Sequence, residues 1–407
     1  MLARRLTAVL IATSALVGAV GAVAGDTRPA DTASQPGAPL PDLTESELAL
    51  VSQGRQAFES QKTIPQGLGP LFNEISCSRC HNKGGVGGAG IQALTFVGRS
   101  EGTSYDALLA HGGPLIAQAS VRQLRADSQR LLPGCKLSAE GEPVPGTANV
   151  ITRRRTTPLF GLGLVEATPD ATFEALAAKQ PPAVRGRVAR PPSVVPGQQR
   201  VGKFGWKAQV PTLEEFAALA FRNELGITSP MFPDEQLPEG DAAKLAACDL
   251  VPGLEDDGSA AQHAADFMRL LAPVAPLPQS KAARAGDRLF GKLGCDSCHV
   301  RALQTGPHQV AALSRREYQP YSDFLLHDMG ARADGIGSDG DAAPREMRTA
   351  PLWGLHLQQQ RFMHDGRARS LEDAIRQHEG QGSQARDAFT ALSDAQRAEL
   401  IAFLHTL

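Results

Sequence analysis

Two short stretches of the 407-residue chain carry a pair of cysteines followed directly by a histidine. Residues 77 to 81 read CSRCH, and residues 295 to 299 read CDSCH. A structural zinc site needs four ligands and a redox pair needs only two thiols, whereas Cys-x-x-Cys-His is the attachment signature of c-type haem. The two motifs therefore predict two covalently bound c-type haems.

Each cysteine and histidine of a motif has its own expected part in holding one haem. We expect Cys77 and Cys80 to form thioethers to two vinyl groups of a porphyrin, and His81 to bind its iron as an axial ligand. The second haem has the same predicted set: Cys295, Cys298 and His299. Each iron then has one histidine ligand that the motif itself supplies.

The N-terminus has the pattern of an export signal. Arg4 and Arg5 precede an apolar stretch, and small residues follow at positions 22 to 24, so residues 1–24 are interpreted as a signal peptide. Because the stretch is long for a signal core, an uncleaved membrane anchor is the alternative. Either interpretation predicts a body outside the cytoplasm, in the periplasm, where bacteria attach c-type haem.

Composition excludes some classes of function and leaves two cysteines unassigned. The formal net charge is -2 and basic residues are scattered, so nothing indicates a nucleic-acid partner. An oxidising compartment favours a disulfide between Cys135 and Cys248, with two buried free thiols as the alternative.

An internal repeat predicts the domain organisation. The segments RTTPLFGL (155–162) and RTAPLWGL (348–355) agree in six of eight positions, and each follows its own haem motif. The predicted fold is all-α, mostly helical with long irregular loops around 100–150 and 181–240, and consists of two cytochrome c-like domains related by duplication. Five segments are expected: signal peptide 1–24, flexible leader 25–43, first haem domain 44–272, Pro-rich linker 273–280 and second haem domain 281–407.

Helix start signals recur at matching places in both halves. Thr44 with Glu47 and Ser393 with Gln396 have the spacing of capping boxes, and Ser280 is a candidate N-cap. Closing helices are expected at two segments: residues 260–271 and 393–407.

Several longer motifs resemble a known family. In order, they are LVEATPD, GKFGWKAQVPTLEEF, LGITSPMFP, YSDFLLHDMG and FMHDGRARSLEDAIRQHEG. From about residue 48 to residue 407 the chain resembles the bacterial di-haem oxidoreductases grouped as peroxidases, sometimes called thiol oxidoreductases, and more distantly the di-haem cytochrome c peroxidases. The resemblance implies two facing haem domains, one relaying electrons while the other meets peroxide.

The resemblance also implies roles for two residues outside the motifs. His378 falls where relatives place the second axial ligand, which implies bis-histidine ligation with His299. The alternatives are a histidine that favours a helix C-terminus, or ligation by Met363 or Met329. Glu166 falls near the distal glutamate of the peroxidases and is expected to shuttle the proton; an ordinary exposed glutamate is the alternative.

Other candidate residues have two interpretations each. Arg155 and Arg348 open the repeat segments and are candidates to pair with haem propionates or to form surface or interdomain salt bridges.

His111 is an alternative distal ligand of the first haem. Trp206 is a relay candidate by resemblance, and Trp353 belongs to the second repeat segment, but each tryptophan is more typical of a core residue than of a redox relay. Two His-Asp pairs are interpreted as structural turns rather than a metal site: His327 with Asp328, and His364 with Asp365.

Together these features predict a periplasmic di-haem c-type oxidoreductase of peroxidase type. Electrons from a periplasmic donor protein are expected to enter at the C-terminal haem and pass to the N-terminal haem, which reduces peroxide or oxidises a small-molecule or protein partner. A non-enzymatic electron carrier is the main alternative, and thiol or sulfur oxidation is a third. Relatives use a calcium ion between the domains, whose ligands the sequence does not identify here. Membrane contact is expected only if the N-terminal segment stays uncleaved.

Overall fold

The computed structural model describes residues 28–29, 35–194, 199–337, 339–358 and 361–407. The predicted signal peptide lies outside the described residues, and the predicted leader is described only in part. Across the described part of the chain, no helix has both the length and the apolar character that a membrane span requires.

Short helices and shorter strands alternate along the chain. The α-helices are α1 Glu45–Glu59, α2 Cys77–Cys80, α3 Arg125–Leu131, α4 Leu162–Glu166, α5 Asp170–Lys179, α6 Leu213–Leu225, α7 Ala242–Ala246, α8 Ser259–Leu270, α9 Lys281–Lys292, α10 Leu371–Arg376, α11 Ser383–Thr390 and α12 Asp394–Leu404. The strands are β1 Arg28–Pro29, β2 Leu71–Phe72, β3 Ala93–Glu101, β4 Ser104–Asp106, β5 Leu115–Ile116, β6 Ala119–Ser120, β7 Val150–Arg155, β8 Leu303–Gln304, β9 Arg316–Tyr318, β10 Leu326–Asp328 and β11 Glu346–Arg348.

The predicted all-α fold class is wrong. The protein is a mixed structure, with 38% of residues in helices and 13% in strands that form several small sheets. The largest sheet has the strand order β4-β3-β5, with β7 also paired to β3. The segment around 100–150, predicted to be irregular, therefore contributes strands, and the segment around 181–240 contains helix α6.

Strand pairing in this sheet joins residues that are distant in the sequence. β3 and β7 are antiparallel over six residues, from Ala93 opposite Arg155 to Gly98 opposite Val150. Both strands are rich in Thr, Val, Ile or Phe, which suit a pleated surface, but their short alternating runs are broken by glycine and arginine. The sheet matters for the site because β7 ends at Arg155, beside the first repeat segment.

The predicted helix starts are confirmed. Thr44 accepts a hydrogen bond from the Glu47 backbone and Glu47 accepts one from the Thr44 backbone, which completes a capping box at α1. Ser393 and Gln396 form the second capping box, at α12. Ser280 accepts from the Ala283 backbone and caps α9.

Both halves contain the same close helix crossing. Helix α1 packs against α8, and α9 packs against α12. A Cβ at Gly54 would lie 2.3 Å from the His263 carbonyl oxygen, and one at Gly286 would lie 2.0 Å from the Glu399 carbonyl oxygen. Because no side chain fits there, each crossing requires glycine, and the origin of the two halves by duplication stays a prediction.

An aromatic pair follows each crossing glycine by one helical turn. Phe58 packs against Phe267 with ring centroids 5.0 Å apart, and Phe290 packs against Phe403 at 5.4 Å. The first phenylalanine of each pair also faces a motif histidine. The Phe58 and His81 rings are 6.0 Å apart, and the Phe290 and His299 rings are 6.5 Å apart. Each crossing therefore positions an apolar ring beside one predicted iron ligand.

A disulfide joins the two cysteines outside the motifs. Cys135 and Cys248 are bonded, as the oxidising compartment favoured, and both are buried with Ile64, Val121 and Leu132. The bridge joins the segment that follows α3 to the segment that follows α7. Residues 273–280 have neither helix nor strand, and the domain boundaries placed there stay a prediction.

Replacing Gly286 with alanine tests the crossing. Alanine favours a helix over glycine by up to about 1 kcal/mol, yet here its Cβ would overlap the backbone of α12. We expect Gly286→Ala to lower the free energy of unfolding by about 1–3 kcal/mol, measured by denaturant unfolding of the full chain.

Gly291→Ala is the matched control in the same helix. A Cβ at Gly291 meets only the ends of two flexible, partly exposed side chains, Asp296 at 3.0 Å and Arg301 at 3.5 Å, rather than backbone. We expect this variant to be as stable as the wild type or more stable. Equal stability of Gly286→Ala and Gly291→Ala would contradict the proposed constraint.

Candidate functional site

A cavity of about 560 Å³ opens beside the first motif. Cys77, Cys80 and His81 line it on one side, together with Arg155 and Arg348 from the two repeat segments. The structure therefore brings the first predicted attachment set and the two predicted propionate partners to the same cavity. We call it the first cavity.

Backbone carbonyls orient the imidazole of His81. Its Nδ1 lies 3.0 Å from the Thr157 oxygen and 3.2 Å from the Gly88 oxygen, so Nδ1–H donates and Nε2 is left to bind a metal. Burial lowers the pKa of His81 to about 4. The ring is therefore neutral at neutral pH, which is the form that ligates iron.

The motif thiols have the character of buried side chains rather than redox thiolates. Burial raises the pKa of Cys77, Cys80 and Cys295 to about 12. Since a reactive redox cysteine needs a lowered pKa, these residues are poorly suited to thiol exchange. Among the described residues, no group of three converging metal ligands includes Cys77, Cys80 or His81, so a zinc site there has no support in the geometry.

Two arginines, Arg348 buried and Arg155 partly buried, face the first cavity without a carboxylate partner among the described residues. Arg155 donates to the Met363 carbonyl and the Gln358 side chain, and Arg348 donates to the Gly205 and Thr349 carbonyls. Among the described residues, neither guanidinium forms an ion pair with a carboxylate. Burial lowers the pKa of both to about 10, so they remain cations at neutral pH. Buried cations of this kind suit anionic groups of a ligand.

The two tryptophans have different surroundings. Trp206 lines the first cavity, donates from Nε1 to the Arg155 carbonyl at 3.1 Å and meets the His364 ring edge-on at 6.2 Å. Trp353 is buried and packs on Tyr318 at 5.8 Å. Trp206 thus lies at the cavity wall, whereas Trp353 belongs to the core.

The second motif repeats the histidine geometry of the first. His299 Nδ1 donates to the Tyr321 carbonyl at 2.9 Å, and His378 Nδ1 donates to the Ala374 carbonyl at 2.9 Å. Burial, followed by the nearby charge of His378, lowers the pKa of His299 to about 4. The structure therefore places His378 near His299, with both Nε2 atoms left free of these hydrogen bonds.

The alternative ligands have different surroundings. Met363 is partly buried at the edge of the second core, in a backbone conformation with φ of 66°. His111 is exposed at the end of a short turn and is not among the residues that line the first cavity. Met329 is partly buried.

Glu166 is engaged in an ion pair. Its Oε2 accepts from Arg269 Nε at 2.6 Å and its Oε1 accepts from the Leu213 backbone at 2.7 Å. Glu166 ends helix α4 and is not among the residues that line the first cavity. Its predicted proton-shuttling role stays a prediction, and its contacts join α4, α6 and α8.

Two features of the site were missed by sequence reasoning. His327 Nε2 lies 2.9 Å from Asp323 Oδ2 and its Nδ1 lies 3.7 Å from Cys298 Sγ, so these three residues form a converging group beside the second motif. The other feature is Glu224, which lines the first cavity. Glu224 lies in the last turn of α6, where the helix dipole disfavours a negative charge. A glutamate at such a position is unusual, and this was the signal in the sequence that could have drawn attention to it.

The residues of the first cavity fit a haem. They supply two unpaired thiols, a neutral histidine with a free Nε2, apolar walls and two cations that match a pair of carboxylates. The fit rests on this donor set, which matches what an attached porphyrin requires.

The chain belongs to the family described as di-haem oxidoreductase, putative peroxidase, whose model matches residues 147–407. Membership makes the protein an oxidoreductase of a peroxidase-like family and implies two haems. No curated protein matches the chain.

Comparison with solved structures gives distant likenesses. A MauG-like protein associated with microbial copper homeostasis is 14% identical over 93% of this chain and 92% of its own, with a TM-score of 0.40. The diheme peroxidase BthA of Burkholderia thailandensis is 14% identical over 94% and 92%, with a TM-score of 0.39. A hydrazine synthase of Kuenenia stuttgartiensis is 13% identical over 100% of both chains, with a TM-score of 0.36. These TM-scores are too low to support an argument about this chain.

Replacing Glu166 with glutamine tests its structural contacts. The side chains of Glu166 and Arg269 are only 13% and 17% exposed, so loss of the charge leaves a largely buried guanidinium with Asp266 as its remaining partner. We expect Glu166→Gln to lower the free energy of unfolding by about 1–2 kcal/mol, measured by denaturant unfolding.

The control is Glu174→Gln, which removes the same charge from a pair whose side chains are 40% and 48% exposed. We expect a change within about 1 kcal/mol, because exposed pairs contribute little. If the two variants lose equal stability, the Arg269 pair is not the structural contact described here.

Proposed function

We propose that the protein is a periplasmic di-haem c-type oxidoreductase that reduces peroxide, or uses it to oxidise a partner, with electrons from a donor protein. Family membership supports the oxidoreductase class and two haems. The observation that carries the finer proposal is the first cavity, where Cys77, Cys80 and His81 meet two cations that lack carboxylate partners. Such a set would hold a porphyrin that is attached through the two cysteines and whose two propionates are negatively charged.

Each residue of the first cavity has a defined part in holding the cofactor. Cys77 and Cys80 would attach it, His81 would bind its iron through Nε2, and Arg155 and Arg348 would bind its propionates. When bound, haem supplies the one-electron chemistry that amino-acid side chains lack. The protein supplies orientation, an apolar enclosure and the positive charge.

The second motif would hold a haem between two histidines. His299 and His378 are both partly buried, and each has its Nδ1 committed to a backbone carbonyl. If both histidines bound the iron, they would leave it no place for peroxide, which suits electron relay. We therefore assign the relay role to the C-terminal half and the reactive role to the first cavity.

Two features favour the periplasm as the place of action. The Cys135–Cys248 disulfide is of a kind that persists in oxidising compartments. The basic and apolar pattern of residues 1–24 is that of an exported chain. The donor would then be a periplasmic electron-transfer protein.

One observation favours the alternative of a non-enzymatic electron carrier. Met268 lines the first cavity, and a thioether in the sixth position would close the iron to peroxide. Met268 lies on α8 next to Phe267, and Leu404 has the same place after Phe403 on α12. Because an aliphatic side chain occupies the matching position of the second half, we assign Met268 to packing.

Haem content and peroxide turnover test the proposal together. Protein from a cytochrome-maturing host should retain two haem equivalents after denaturation and acid extraction, and one in a Cys295→Ala/Cys298→Ala variant. The native protein should show a high-spin signal and reduce peroxide with a reduced cytochrome or dye donor. Loss of all colour on extraction would overturn covalent attachment.

Met268→Leu separates the enzyme from the carrier. If Met268 only packs, the variant keeps the spectrum and turnover of the wild type. If two low-spin haems at every potential give way to one high-spin haem in the variant, Met268 is a ligand and the protein is a carrier.

A further inference from the structure

We propose that Glu224 is the residue that accepts and donates the proton during peroxide cleavage in the first cavity. The inference rests on the proposed function and deepens it by naming the acid–base group of the same site. It competes with the prediction for Glu166, whose carboxylate is held by Arg269 and the Leu213 backbone.

Helix α6 forms a wall of the first cavity. Most of its residues from Phe216 to Leu225 line the cavity, and Ala217, Ala220, Phe221 and Glu224 among them follow the i, i+3, i+4, i+7 spacing of one helix face. The two alanines are small and leave room beside the helix. Glu224 is the acid of α6 that lines the cavity, so the helix brings one carboxyl group to the wall of the space where the ligand would lie.

Backbone hydrogen bonds connect Glu224 to the segment that precedes the first motif. Its backbone carbonyl accepts from the Asn73 amide at 2.8 Å and from the Glu74 amide at 3.2 Å. The Asn73 side chain donates to the neighbouring Asn223 carbonyl at 3.1 Å. The chain then runs directly from Glu74 into Cys77, so the backbone of Glu224 is fixed relative to the attachment site.

The surroundings of Glu224 keep its proton exchangeable near neutral pH. Burial raises the pKa of its carboxyl group to about 7, although the Asn73 side chain acts in the opposite direction. A position in the last helical turn disfavours the charged form further. Charged groups on the neighbouring elements are Lys62, Glu74, Arg79, Arg222 and Glu235.

Other carboxylates of the first cavity are committed elsewhere. Glu142 accepts from the Ala117 and Glu239 backbones, and Asp339 forms an ion pair with Arg154. Glu74 pairs with Arg79 at 3.5 Å. Glu235 lies within a cluster of acids with Asp249 and Glu255, where burial and Glu255 raise its pKa to about 8. By comparison, Glu224 combines a place on the wall with a proton it exchanges near pH 7.

The proposed step balances atoms and electrons. The Glu224 carboxylate takes the proton from one peroxide oxygen, and the resulting acid gives it to the other oxygen. That second oxygen leaves as water with the electron pair of the broken O–O bond. Bound haem would supply the two electrons that reduce the remaining oxygen, the donor protein would replace them, and two protons from solvent would complete the second water.

The test uses the full-length holoprotein and the variants Glu224→Gln and Glu224→Asp. We expect Glu224→Gln to keep two haems, to lose about 10²-fold or more in kcat for peroxide and to keep KM within a few-fold. Glu224→Asp should restore part of the rate. Because the carboxylate form accepts the proton first, wild-type kcat/KM should rise as pH rises through about 7, and this step should vanish in Glu224→Gln.

A second readout does not depend on turnover. The absorption spectrum of the oxidised wild type should titrate near pH 7, and the transition should be lost in Glu224→Gln. Glu45→Gln, at the exposed start of α1, is the control and should behave as wild type.

Turnover of Glu224→Gln within about three-fold of wild type, or a titration that persists in it, would overturn the proposal. If the variant fails to fold, the wild type alone decides: an absorption spectrum that does not change between about pH 6 and pH 8 would overturn the proposal. A wild type that titrates but does not reduce peroxide would overturn the proposed function instead. Loss of turnover in Glu166→Gln alone would transfer the role to Glu166.

Discussion

A hydrogen bond from histidine Nδ1 to a backbone carbonyl determines what each motif of this protein is able to hold. In the first half the acceptors belong to Thr157 and Gly88, and in the second half the acceptor belongs to Tyr321. These carbonyls fix the tautomer and the ring orientation, so that Nε2 points away as a ligand atom. In the first half the repeat segment folds back to the histidine through Thr157, whereas in the second half the acceptor, Tyr321, lies before the repeat segment. In both halves the crossing helices place a phenylalanine next to the histidine ring.

The two halves keep this arrangement while differing in almost everything around it. Both have a glycine at the helix crossing and an aromatic pair one turn later, and these positions tolerate little change because they are packed backbone to backbone. The first half also contains the sheet built on β3 and β7 and the disulfide Cys135–Cys248. Both lie between α1 and α8 in the sequence, and the crossing of these two helices is nevertheless in place.

Local signals were readable from sequence, and contacts across the chain were not. The capping residues Thr44, Ser280 and Ser393 act on amides within three residues, so their spacing predicts helix starts correctly. The pairing of Ala93 with Arg155 depends on a register that no short window contains, and the all-α expectation was wrong for that reason.

In the candidate site, too, some residues are identified by local sequence and others only by contacts across the chain. Cysteine spacing identifies the attachment motifs without any knowledge of the fold. The ion pair of Glu166 with Arg269 joins helices 103 positions apart, so a residue that resembles a catalytic acid by motif is engaged in holding helices together. Glu224 was overlooked because nothing in its own segment marks it as facing Cys77. Helix α6 lies far along the chain from that cysteine, and only the folded structure brings them to one cavity.

The dependence of the first cavity on Arg348 has a consequence for biogenesis. A chain secreted N-terminus first presents CSRCH well before the segment that supplies this arginine, and Arg155 reaches its own acceptors, Gln358 and Met363, only after that later segment arrives. In the finished fold Cys77 and Cys80 are partly buried at the wall of the first cavity. On the proposed function, we expect the porphyrin to be ligated before closure, with the maturation machinery acting on an open polypeptide whose final packing then encloses the pigment.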